Sequence, residues 1–230
     1  ENTSIDCFNI EKSTTEKFWI WGEVGSLTIM DSTTGNLEIS GATINSLSIL
    51  KSTIGNLTVG SSKLKHLSVQ SASRLSNLSV WELDIEKIFV CGKSYVGHLQ
   101  LSFSLRQPSR IILENCYFGH IDLNSSVFSE FTTMNVLGCE VNQVSLKNFC
   151  NYGTLFFTSL NPLEKWDDFK KDEIGKPVFS ENAYQFESVE YPSTLRLTDS
   201  DLGKIQFINC DLRKIKRFEF VNTKMLEIFT

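Results

Sequence analysis

No run of apolar residues in this 230-residue chain is long enough to cross a membrane as a helix. There is no Cys-x-x-Cys pair and no His-Glu-x-x-His, so zinc, redox-motif and metalloprotease readings have nothing to stand on. Basic residues form no stripe and the net charge is −5, which argues against a nucleic-acid partner. Proline occurs four times, and Pro108, which lacks an N–H, suits a loop better than an interior strand. The acids Glu38, Asp84, Glu86, Asp122, Asp199, Asp201 and Asp211 scatter over unrelated repeat positions, so no paired-carboxylate arrangement for hydrolysis is visible.

What the chain does contain is a repeat of ten residues, clearest from Gly25 to Val80. Position 1 is small (Ser32, Ala42, Ser52, Ser62) and position 3 is mostly β-branched or aliphatic (Thr34, Ile44, Ile54, Leu64). Position 6 is Leu (Leu37, Leu47, Leu57, Leu67) and position 8 is β-branched (Ile39, Ile49, Val59, Val69). Positions 4 and 5 hold turn-prone pairs such as Gly35-Asn36 and Gly55-Asn56, read here as corners. An α-helix cannot produce this pattern, because at about 100° per residue a column spaced by ten smears over every face. Strand alternation fits, and a short fixed period over many units marks a solenoid whose coils bury a core only by stacking.

The repeat starts at once, with Thr3, Ile5, Phe8 and Ile10, then Ser13, Thr15, Phe18 and Ile20. The two Phe residues predict a bulkier plug near that end. Later units include Ser94, Val96, Leu99 and Leu101; Cys116, Phe118, Ile121 and Leu123; Ser126, Phe128, Phe131 and Thr133; and Cys139, Val141, Val144 and Leu146. One solenoid domain is expected over 1–230, with an insertion over 158–192 on its flank. Asn161 and Pro162 read as the cap and first position of a short helix, with Leu163, Trp166 and Phe169 recurring along it. A looser crossing through Tyr184, Phe186 and Tyr191 is expected to follow, before Leu195 and Leu197 rejoin the stack. Neither end carries a polar cap, so the chain is expected to be a segment of a longer protein or to stack end to end on a partner, itself included.

Cut into fives, Cys210–Lys214 (CDLRK), Ser200–Lys204 (SDLGK) and Cys116–His120 (CYFGH) place a small residue two before a central Leu or Phe. This resembles the pentapeptide-repeat family, and the resemblance covers most of the chain. It implies an all-β fold, a right-handed quadrilateral parallel β-helix with four five-residue sides per coil. The chain departs from that motif at position 6, usually Leu here where the family has a small residue. Leucine-rich repeats compete through Ile44-xx-Leu47-x-Ile49, but their core motif occurs once per 20–29 residues and recurs here every ten.

Cys116, Cys139, Cys150 and Cys210 fall at position 1, where Ser and Ala stand elsewhere, and read as small buried thiols rather than disulfides. Free thiols point to a reducing, cytoplasmic compartment. His66, His98 and His120 share position 5 with Asn36, Asn56 and Asn77 and read as exposed corner residues; a stack of His98 on His120 on adjacent coils that shares a metal is the sharper alternative, which no metal-ligand spacing supports. Position 7 points outward and is polar except at Trp19 and Phe89, which are candidate contact residues. Trp166, Asp167, Asp168 and Phe169 form a second candidate patch. Asn2, Asn56, Asn77 and Asn124 begin sequons that chance explains in so Ser/Thr-rich a chain.

The function expected is a non-enzymatic scaffold or protein–protein interaction module with a protein partner, no cofactor and no metal. A carbohydrate-binding or carbohydrate-active β-helix is the second reading. An acidic DNA mimic that binds topoisomerase, implied by the family resemblance, is the third. Any membrane tether would lie outside this segment.

Overall fold

The computed structural model describes residues 4–158, 183–187, 194–198, 201–208, 217–221 and 224–229, apart from 83, 104–107, 124–125, 130, 148–149 and 152–153. The helix expected over 161–173 and the patch Trp166, Asp167, Asp168 and Phe169 lie outside these residues.

Twenty strands and no helix form among the described residues. The first are β1 (Ser4–Glu11), β2 (Thr14–Met30), β3 (Thr33–Leu50), β4 (Thr53–Gly60), β5 (Lys63–Gln70), β6 (Arg74–Trp81) and β7 (Asp84–Cys91). Then come β8 (Tyr95–Ser102), β9 (Arg110–Glu114), β10 (Tyr117–Asp122), β11 (Val127–Phe128), β12 (Thr133–Leu137) and β13 (Glu140–Lys147). Every pairing is parallel, each strand meeting the equivalent strand of the next coil, and the whole is a β-solenoid of about six turns.

Each coil is two ten-residue runs. Leu37 pairs with Leu57, and Leu47 pairs with Leu67 on the other run. Successive partners stand 20 residues apart at Leu37/Leu57, 21 at Leu57/Leu78, 22 at Leu99/Ile121 and 23 at Ile121/Val144. The extra residues are taken up between strands without disturbing the inward columns. Beyond residue 158 the stack resumes at Ala183, with Tyr184 opposite Val144 and Phe186 opposite Leu146. The crossing expected through Tyr184 and Phe186 is therefore a strand of the stack.

Positions 1, 3, 6 and 8 point inward. Leu27, Ile29, Leu47, Ile49, Leu57, Val59 and Leu78 are fully buried in one continuous core. Alternation forces this, since a strand that buries every second side chain cannot slip by one residue without turning the set outward. At the first coil Phe8 and Phe18 stack at 5.6 Å and 8°, partly buried, as the plug residues. Ile5, in an inward position of that coil, is nevertheless exposed, with no described coil stacked above it.

Two expectations are revised. Besides the bend at positions 4–5, where the ladder skips position 4 and two successive side chains lie outside the core, the chain turns at position 10. Lys12, Asp31, Lys51, Ser61, Glu82 and Asn115 all have φ between 46° and 51°. This left-handed conformation costs an ordinary residue about 1–2 kcal/mol. Stacking offsets it, because each corner amide finds a carbonyl in the next coil: Asp31 N–H donates to Leu50 O at 3.1 Å and Asn115 N–H to Leu137 O at 2.9 Å. Position 4 lies within the strand bounds but is skipped by the ladder, and Gly35 also marks a close approach: a Cβ there would meet Glu16 O at 2.5 Å. The second correction concerns Phe131, which is 76% exposed, while Thr133 is only half-buried. Met134 and Val136 are the buried residues of that run, paired with Ile111 and Leu113. Thr132 N–H donates to Ser129 O in the turn that carries Phe131 outward.

Candidate functional site

Positions 2, 5 and 7 of one run form three parallel columns, in which Tyr95 and Asp122 are buried. Position 2 reads Thr14, Thr33, Thr53, Arg74, Tyr95, Tyr117, Glu140. Position 5 reads Lys17, Asn36, Asn56, Asn77, His98, His120, Gln143, and position 7 reads Trp19, Glu38, Thr58, Ser79, Gln100, Asp122, Ser145. The early coils show what such a face needs merely to be soluble and paired. Asn56 Nδ2 donates to Asn36 Oδ1 at 2.6 Å, and Asn77 Nδ2 to Asn56 Oδ1 at 2.6 Å. From β8 onward the same columns change character, to Tyr over Tyr, His over His, and a carboxylate.

The His98 and His120 rings lie 4.8 Å apart and 4° from parallel. The stacking part of the sharper alternative is therefore present for these two, which share a column. His66 occupies the other run, between Ser46 and Lys87, and joins no such stack. His98 Nε2 faces Asp122 Oδ2 at 3.7 Å, and that carboxylate is mostly buried. Burial, then the neighbouring His98 ring, pushes the His120 imidazole down to about 4, against a smaller upward pull from Asp122. Two face-to-face rings project their nitrogen lone pairs side by side rather than at one point, so they are not arranged to share an ion. Among the described residues no three His, Cys, Asp or Glu side chains are grouped to hold a metal.

Beside the Tyr column the corner opens into a depression of about 400 Å³, lined by Gly92, Lys93, Asn115, Cys116, Tyr117, Gly138 and Glu140. Gly138, at φ 59°, is bare for a steric reason beyond its dihedral: a Cβ would lie 2.6 Å from Asn115 Oδ1. The depression thus offers an ammonium, a carboxylate, an amide and a phenol around a glycine floor.

Other reactive groups are structural. Cys116 and Cys139 are buried and free, and take the place of the position-1 serines, their thiols reaching Glu114 O at 3.1 Å and Leu137 O at 3.5 Å. Burial pushes the Cys139 thiol up to about 12 and raises Cys116 as well. Neither forms a nucleophile at neutral pH. Cys7 is exposed and Cys91 half-buried, with burial and Glu114 raising the latter. Cys150 and Cys210 fall where no side chain is described.

Of the aromatics singled out in the sequence, Trp19 is 51% exposed but engaged: its Nε1–H donates to Glu38 at 3.2 Å, and the Lys17 ammonium lies 5.2 Å from its ring. Phe89 lies on the other run beneath the Lys87 ammonium, also at 5.2 Å. The structure therefore separates these two onto different faces. Sequence reasoning missed Trp21, 77% exposed, and Trp81, whose indole lies against Gly60. Both sit at position 9, just before a corner, outside the outward column that was scanned.

No family model, no curated protein and no solved structure matches the chain.

Proposed function

We propose that this chain is a non-enzymatic β-solenoid scaffold, related in its coil design to pentapeptide-repeat β-helices, that presents the strip across β8, β10 and β13 to a protein partner. The relation rests on Cys116-x-Phe118, a small and a large side chain both buried within one five-residue motif. The observation that carries the interaction role is the change along the columns: Thr53, Asn56 and Thr58 of β4 give way to Tyr117, His120 and Asp122 of β10 at the same backbone positions, next to the corner depression. Aromatic side chains on a rigid base are enriched in contact surfaces, with polar and charged groups at the rim.

The test reverts the strip to the pattern of the earlier coils, with Tyr117→Thr, His98→Asn and His120→Asn, and compares it with Ser48→Lys on the opposite run. Partners co-purifying with the parent should be lost from the first variant and kept by the second. Retention by both removes the strip from consideration.

A second reading is that the corner depression takes a saccharide. Tyr117 supplies a ring to stack on, and Lys93, Asn115 and Glu140 supply donors and acceptors for hydroxyl groups. Calorimetric titration with neutral oligosaccharides tests it; heats unaffected by Glu140→Gln count against it.

A further inference from the structure

Position 5 runs from Lys17 through Asn36, Asn56, Asn77, His98, His120 and Gln143 and on by register to Lys204 and Glu227; of the six residues from Asn36 to Gln143 only His98 and His120 can acquire charge. Their rings are stacked face to face at 4.8 Å. The groups around them are unequal. From β6 the neighbours are Asn77 in the same column and Arg74 at position 2. On β8 they are Tyr95 and Gln100, and on β10 Tyr117 and Asp122. From β13 they are Glu140 and Gln143 by register, and Lys93 stands at the corner before β8. The Asp122 carboxylate lies 3.7 Å from His98 Nε2.

We propose that the His98–His120 stack is a proton-operated switch in the solenoid face, closed while the pair carries at most one proton and opened by the second. One proton is balanced by Asp122 across 3.7 Å. A second puts like charges into parallel rings 4.8 Å apart, where the repulsion between them opposes the stack. The core beneath cannot yield, because Leu99 and Ile121, the next residues along β8 and β10, are fully buried. The side chain is what moves: the His120 ring leaves the stack for solvent, and the strip changes shape between Tyr117 and Asp122. Burial and the neighbouring ring already hold His120 well below the ordinary histidine range, as this coupling requires. The switch does not depend on the strip being the partner-binding face, and its test uses no partner.

The experiment is an NMR titration of the full chain, labelled in its histidine rings and backbone amides, from pH 8 to pH 4. The ring-to-ring contact between His98 and His120 should be present at pH 7.5 and disappear as His120 titrates, with amide shifts concentrated on β8, β10 and β13. In His98→Asn, which continues the Asn36–Asn56–Asn77 column, the His120 midpoint should rise by about 0.5–1 pH unit, as removal of a neighbouring charge site demands. Asp122→Asn should move it the other way. A stack that persists through the His120 titration overturns the proposal in the parent alone. A His120 midpoint that ignores His98→Asn overturns it independently.

Discussion

The backbone N–H of Ser32 donates to the hydroxyl of Ser52, one coil further on, at 3.1 Å, while that hydroxyl donates to Leu50 O at 2.8 Å. The same relay recurs from Ser13 to Ser32, from Ala42 to Ser62, from Ser52 to Ser73 and from Phe103 to Ser126. Position 1 is thus small for space and hydroxylic for bonding. It occupies the residue after the left-handed corner, where the amide has turned inward, away from solvent. Without the hydroxyl, that amide would be buried and unpaired.

Removing one relay hydroxyl should therefore cost more than its volume implies. Ser52→Ala leaves the Ser32 N–H without its acceptor, a loss of about 1–3 kcal/mol. Ser52→Cys should cost less, since Cys116 and Cys139 fill the same position naturally. Urea denaturation curves check the ranking; an Ala variant as stable as the parent would mean that the relay contributes nothing.

Inward and outward residues one step apart should respond oppositely to the same charge. Leu47 is fully buried and Ser48 faces outward between Thr28 and Ser68. Leu47→Asp places an unpaired charge in the core and should abolish soluble folded protein, a penalty of about 4 kcal/mol or more. Ser48→Asp should shift stability by about 0.5 kcal/mol or less. Soluble yield and circular dichroism separate the two.

The inward register was legible from sequence because it is written redundantly. Leu at position 6 and a β-branched residue at position 8 recur in coil after coil, and one slip would reverse them all. The corners at position 10 were not legible, because the residue there varies from Asp31, Gly41 and Asn115 to Lys51 and Glu82, so no one turn signal recurs from coil to coil. Their conformation is imposed by amide pairing between coils, a tertiary effect. Gly35 and Gly55, which read as turn residues, stand where the ladder skips a pair and also mark where successive backbones approach. Phe131 was misplaced because three extra residues between Phe128 and Met134 break the period without a sequence mark. The His stack needed one fact that sequence did not state: alternate ten-residue units lie on different runs. That is why His98 meets His120, and His66 meets neither.

Acid should weaken the fold through His120. Its folded-state value is depressed to about 4, from an ordinary value near 6.5. The unfolded chain therefore binds the proton first, and stability present above about pH 6.5 is lost as pH falls towards 4. The full shift corresponds to at most about 3 kcal/mol. His120→Asn should flatten the fall in melting temperature over this window, while Asn at His66, exposed on the other run, should leave it unchanged.

Thiol reactivity should sort the cysteines by their place in the coil. Cys7 is exposed on the first strand, so a neutral alkylating reagent reaches it without any opening of the stack. Cys91 ends β7 half-buried beside Glu114, which opposes thiolate formation, so it should react more slowly. Cys116 and Cys139 are buried in the position-1 relay, with their thiols pushed far above neutral pH by burial. They should resist modification until the coils separate, and then react together with unfolding. Mass spectrometry of alkylated peptides over a urea series reads all four at once. Cys116 or Cys139 modified in the native protein at a rate near that of Cys7 would show that the corner depression lined by Cys116 opens into the core, and that position 1 is not sealed there.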